Sequence, residues 1–137
     1  MEGCEEMKYI TVVQFFRAKF EVRKEILNWW KPEIGDLAES TNGGVKCLTK
    51  RSEIDFAKSS LENKNKYSII PLLTTQQLID FIEYKLKDEV DIYRAGMKGH
   101  QISTEWIDGV GRSKFEFKTD THDLLLALWE CAQEVCR

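Results

Sequence analysis

The stretch from Glu89 to Lys118 constrains the fold most. Three runs alternate apolar and polar residues with period two: "EVDIYRA" (89–95), "QISTEW" (101–106) and "KFEFK" (114–118). Val90 and Ile92, then Ile102, Thr104 and Trp106, then Phe115 and Phe117 share one side. Asp91, Tyr93, Ser103, Glu105 and Glu116 share the other. Successive strand side chains point to opposite faces, so the pattern predicts a sheet with one dry and one wet face. Glycine-bearing turns, "GMKG" (96–99) and "DGVG" (108–111), make the expected pairing an antiparallel meander.

A dry face needs a cover, and amphipathic segments flank the meander on both sides. "LTTQQL" (73–78) opens the first with a capping box, in which Thr74 and Gln77 satisfy each other's backbone N–H groups. Leu73 and Leu78 are placed to form the hydrophobic staple that sets the entry angle. The helix is expected over Thr75 to about Lys87, with Leu78, Ile79, Ile82 and Leu86 inward. The second segment, "TDTHDLLLALWECAQEV", has Asp120 or Thr121 as its expected cap. Leu124, Leu128, Cys131 and Val135 form its stripe, widened by Leu125, Trp129 and Ala132. Both helices are expected on the dry face, giving a two-layer α+β domain.

The same start signal stands at "ITVVQF" (10–15), with Thr11 and Gln14 as the box and Ile10 and Phe15 as the staple. A long helix is expected from Val12 to Trp30. Val13, Phe16, Phe20 and Leu27 form its stripe; Val12, Phe15, Val22, Ile26 and Trp29 widen it. Pro32 ends it, because the residue before a proline avoids helical geometry. Trp29 and Trp30 lie about 100° apart on that helix, so at most one points straight into the core. Both are expected mainly to pack, and the other is a candidate contact residue, since aromatics are enriched at recognition surfaces.

Residues 34–50 read as a hairpin around "TNGG". "SEIDFAKSSLEN" (52–63) reads as a short amphipathic helix capped by Ser52, with Ile54, Ala57 and Leu61 inward. "KYSIIPLL" (66–73) reads as an extended lead-in to the next helix. The fold class expected is therefore α+β: an antiparallel sheet of three or more strands with helices on one face, preceded by a long helix and a hairpin. The whole, residues 1–137, is read as a single domain.

Charge narrows the function classes. The net charge is −3, which argues against a dedicated duplex binder, since displacing phosphate counterions needs excess Lys and Arg. Residues 46–66 do carry six cations against three acids, which reads as a solvated insertion or an anion-facing loop. Cys4, Cys47, Cys131 and Cys136 form no C-x-x-C pair and are expected as free thiols in a reducing cytosol. "MEGCEEMKY" lacks the basic start and apolar core of a signal peptide. No apolar run approaches the ~20 residues of a membrane helix. The expectation is a cytoplasmic protein without membrane contact.

Catalytic signatures are sparse. Of the two histidines, His100 sits in or beside a glycine turn, and His122, in the first turn of a helix, reads as structural. No P-loop, G-x-G-x-x-G or G-x-S-x-G motif occurs, and no metal-ligand spacing, so neither catalytic residue, metal nor cofactor is assigned. The glycine turns with following cations, "GMKGHQ" and "DGVGRSK", have the composition of a backbone phosphate cradle, though hairpin turns share it. The candidate ligand-binding set is Trp29, Trp30, Tyr93, Arg94, Lys98 and Arg112. The reasoning is that a tyrosine beside arginines can stack on a base and pair with phosphates.

Three segments, "WWKPEIGD", "IIPLLTTQQLIDFIE" and "DLLLALWECAQEV", resemble a group of small phage and prophage proteins of Gram-positive bacteria. The shared pattern is W-x-P-x-x-G-D, then P-L-x-T-x-x-Q-L-I, then D-L-x-x-A-L-W. It falls here on Trp30, Pro32, Gly35, Asp36, Pro71, Leu72, Thr74, Gln77, Leu78, Ile79, Asp123, Leu124, Ala127, Leu128 and Trp129. The resemblance covers about a third of the chain and carries no activity. It implies a viral setting, in which small non-enzymatic proteins often act by occupying a host defence protein or a nucleotide signal. The leading expectation is such a binding protein, self-association through the first helix being possible. The alternatives are a nucleic-acid-associated regulator using the 46–66 cations and a small nucleotide phosphoesterase.

Overall fold

A computed structural model describes residues 8–40, 44–62, 69–95, 99–108 and 111–136. The protein is α+β, with two antiparallel three-stranded sheets and five helices among the described residues. The chain divides into two compact units, Met1–Thr74 and Thr75–Arg137.

In the first unit, the capping box at Thr11 forms as its chemistry dictates. The Gln14 N–H donates to Thr11 Oγ1 at 3.2 Å, and the Thr11 N–H donates to Gln14 Oε1 at 2.9 Å. Ile10 and Phe15, the staple pair, are both buried. The helix that follows is not continuous. It runs Val12–Arg17 (α1), breaks at Ala18, whose backbone is extended, and resumes Phe20–Trp29 (α2). The buried stripe is Phe15, Ala18, Val22, Ile26 and Trp30. Of the expected main stripe, Val13, Phe16 and Phe20 are instead exposed. The break lets Phe15 and Ala18 turn inward together, which leaves their apolar neighbours facing water.

Strands β1 (Leu37–Ser40) and β2 (Gly44–Cys47) pair antiparallel, with Leu37 opposite Cys47 and Ser40 opposite Gly44. Most of the "TNGG" turn lies outside the described residues. Helix α3 covers Arg51–Glu62. It is held not by Ser52 but by Glu53. That side chain reaches back to the N–H groups of Thr49 (2.9 Å) and Lys50 (3.0 Å), filling the orphan donors of a helix start. Ile54 and Ala57 face inward as expected. The "lead-in" is a strand, β3 (Ile69–Pro71), which pairs antiparallel with β1 and completes the sheet order β2-β1-β3. Trp30, Ala38, Leu48, Ile54, Ala57 and Ile69 form one hydrophobic cluster here, and α3 packs on β3.

In the second unit, α4 (Thr75–Leu86) starts directly after Thr74 and buries Leu78, Phe81 and Ile82. The meander follows as β4 (Asp91–Ala95), β5 (Gly99–Asp108) and β6 (Gly111–Thr119), in the order β4-β5-β6. Its register sets Ile92, Ile102 and Phe117 in one cross-strand row and Asp91, Ser103 and Glu116 in the next. Ile102 and Thr104 are buried on the dry side as the alternation predicts, but Ser103, expected on the wet face, is buried as well. Helix α5 (Leu124–Glu134) lies against β5 and β6, and α4 packs alongside α5. The cap of α5 is Asp123, not Asp120 or Thr121: its Oδ1 accepts from the N–H groups of Leu125 (2.9 Å) and Leu126 (3.4 Å).

The thiols are not uniform. Cys131 and Cys136 are free, but Cys47 is disulfide-bonded. This corrects the expectation of free thiols throughout. Among the described residues, no helix is long and apolar enough to cross a membrane.

Candidate functional site

The sequence-predicted site residues are divided between the two units. Trp30 is buried, and its indole N–H donates to Asp36 Oδ2 at 3.0 Å. The same oxygen accepts the Glu33 N–H at 3.0 Å, and the Asp36 N–H donates back to the Glu33 carbonyl. Pro32 is buried where α2 ends. Gly35 has φ +97°, a conformation L side chains rarely adopt, and its N–H donates to the Leu48 carbonyl at 2.7 Å. The "WWKPEIGD" segment is thus a folding device that ties the end of α2 to the first sheet. Burial raises the Asp36 carboxyl above its ordinary value, opposed by the Glu33 and Trp30 N–H donors. Trp29 is half-buried and packs against the same cluster. Both tryptophans therefore pack.

In the second unit, Tyr93 and Arg94 are neighbours in β4, so they project from opposite faces. Tyr93 sits on the wet face, where its hydroxyl accepts from Gln101 Nε2 at 2.9 Å and lies 3.3 Å from Ser103 Oγ. Gln101 Nε2 also donates to Glu116 at 2.5 Å. Arg94 shares a row with His100 and Thr119, and its Nη2 donates to His122 Nδ1 at 3.0 Å. The Arg94–Tyr93 pairing expected for a nucleotide is therefore not assembled. Arg112 is paired with Ile107, six residues along β5 from the Tyr93 partner Gln101, or roughly 20 Å at strand rise. Lys98 lies outside the described residues.

Both histidines are committed to local bonds. His100 is buried near the start of β5, and its Nδ1 donates to the Thr121 carbonyl at 3.1 Å. His122 must accept at Nδ1, because an arginine can only donate, which fixes its other nitrogen as the protonated one. The buried Cys131 thiol is pushed up to about 12 by desolvation and by Glu134. A thiol so placed is a packing group. Among the described residues, no three His, Cys, Asp or Glu side chains gather as metal ligands.

Two features remain as candidate sites. One is a cleft of about 170 Å³ in the first unit, lined by residues including Lys46, Leu48, Glu53, Phe56 and Ile69. Lys46 Nζ sits 2.7 Å from Glu53 Oε2 beside it. That ion pair, with the Thr49 and Lys50 N–H groups, lowers Glu53 to about 2. Sites for nucleotide-sized ligands run to roughly 300–1,000 Å³, so the cleft is too small for one. The other is the outer side of α1 and α2. Val13 is 58% exposed, Phe16 41% and Phe20 55%. The Arg23 guanidinium lies 5.5 Å from the Phe16 ring centre and 5.9 Å from that of Phe20. One cation thus bridges two exposed rings across the helix break. Sequence reading missed this strip because it assigned these residues to the core.

No family model, curated protein or solved structure matches the chain.

Proposed function

We propose that the protein is a phage-encoded, non-enzymatic binding protein that captures a host protein stoichiometrically, with a bacterial defence factor as the target class. The observation that carries this reading is the exposed Val13–Phe16–Phe20 strip bridged by Arg23. Aromatic residues and arginine are the types enriched at binding hot spots. A protein partner is favoured over a nucleotide signal by the small volume of the cleft and by the separation of Tyr93 from Arg94 and Arg112. The nucleic-acid reading is weakened by local pairing: Lys46 is bonded to Glu53, and Arg51 Nε lies 3.7 Å from Asp55. The three phage-like motifs supply the viral setting, although their described residues serve caps, turns and core.

The test expresses the tagged full chain in a Gram-positive host and isolates complexes for native mass spectrometry. The expected result is a fixed-ratio complex that the Phe16→Ser/Phe20→Ser double variant loses while keeping its circular dichroism. Equal capture by both forms would overturn the strip as the contact surface. The setting we infer is the host cytoplasm.

A further inference from the structure

The strip has a sign as well as an apolar surface. Arg17 and Lys24 are exposed and lie one helical turn from Val13 and Phe20, at i+4 in each case. Arg23 sits between the rings. Glu21 follows Phe20 by one residue, about 100° round the helix. The apolar strip is therefore bordered by three cations in a protein whose net charge is −3. Arg23 adds a second observation. Its Nε is shielded from solvent and has no hydrogen-bond acceptor among the described residues. A guanidinium with a desolvated, unanswered N–H is most cheaply satisfied by a carboxylate, which accepts two parallel bonds in the plane of the fork.

Resting on the reading of the strip as a contact surface, we infer that its partner is an acidic amphipathic protein segment. An apolar ridge lies along Val13, Phe16 and Phe20, and a carboxylate pairs with Arg23. A symmetric second copy fits poorly, because it would bring Arg17, Arg23 and Lys24 of one molecule against those of another. An anionic membrane fits poorly too. Three half-exposed side chains offer less apolar surface than the single acyl chain that gives only marginal membrane binding.

The test titrates the full chain, by fluorescence anisotropy, against labelled amphipathic helical peptides. The peptides share one leucine ridge and differ only in flanking charge: glutamate, serine or lysine. Vesicles of phosphatidylcholine with and without phosphatidylserine, and sedimentation of the chain alone, complete the set. The expected result is saturable one-to-one binding of the glutamate peptide, about tenfold or more tighter than the serine peptide and falling with added salt. Arg23→Gln should remove most of that preference, while Phe16→Ser/Phe20→Ser should remove binding to both. If all three peptides bind equally, or the lysine peptide binds best, the acidic partner is wrong while the contact surface stands. If no peptide binds, if only phosphatidylserine vesicles bind, or if the chain dimerises through the strip, the inference is overturned.

Discussion

The two three-stranded sheets are built by opposite routes. The β4-β5-β6 meander joins consecutive strands through short glycine-bearing connections, and each long strand alternates cleanly. The β2-β1-β3 sheet uses strands of three or four residues, and its third strand returns from beyond α3 to pair with β1. One sheet is specified by local pattern and the other by distant closure. The second kind needs anchors outside its strands. The Trp30–Asp36 bond, the positive φ of Gly35 and the Leu72 N–H bond to the Leu37 carbonyl at 2.9 Å supply them.

That contrast can be broken at several points. The largest effect is expected in the meander unit, where Leu128 of α5 is fully buried. Leu128→Ala should cost about 2–5 kcal/mol by denaturant unfolding, since a cavity adds to the lost transfer energy. Next, Asp36→Ala leaves the buried Trp30 N–H without its acceptor and should cost about 1–3 kcal/mol. Hydrogen exchange should show that loss first in Leu37–Leu48, where the anchor holds β1 and β2, and not in β5. Asp123→Ala removes the cap of α5 and should cost about 1 kcal/mol, read as a shift in melting temperature. The smallest effect is expected at Thr104, which is buried in β5 with its hydroxyl unanswered among the described residues. Thr104→Val should be neutral or slightly stabilising, since it removes a desolvated polar group and keeps the shape.

Acid sharpens the comparison, because among the described residues both shifted carboxylates lie in the first unit. Glu53 is lowered from 4.5 to about 2. Its contribution is therefore complete above pH 4.5 and is lost as pH falls through about 2. Asp36 runs the other way. Raised above 3.8 by burial, it contributes most when protonated, below pH 3.8, and that contribution is lost as pH rises through its folded value. Glu53→Gln should therefore flatten the acid limb of the stability curve, and Asp36→Asn should steepen it. Thermal scans from pH 2 to 7 read both.

The same contrast explains what the sequence allowed. Alternation over 89–118 was enough to place the three strands of the meander, because period two has one structural meaning when glycines bound it, though it did not foresee that Ser103 is buried. The box at Thr11 was legible because its hydrogen bonds close within four residues. β3 was not: Ile69–Ile70–Pro71 is a continuous apolar run, buried on all sides, with no period to read. The break at Ala18 was not legible either, since "RAKF" contains no residue that stops a helix. Tertiary packing chose the Phe15–Ala18–Val22–Ile26–Trp30 stripe over the competing Val13–Phe16–Phe20 one. The strip followed from that choice, so it could not be found before the fold. The Tyr93–Arg94 pair failed for a simpler reason: adjacent strand residues cannot share a face.

The interruption between Arg17 and Phe20 leaves two helical pieces of six and ten residues, the second starting without a side-chain cap at Lys19. Pieces that short do not hold themselves together in water. A synthetic fragment spanning 11–30 should therefore be a random coil and a poor competitor. Whatever reads this surface reads a discontinuous epitope, created only when the remainder of the unit has folded beneath it.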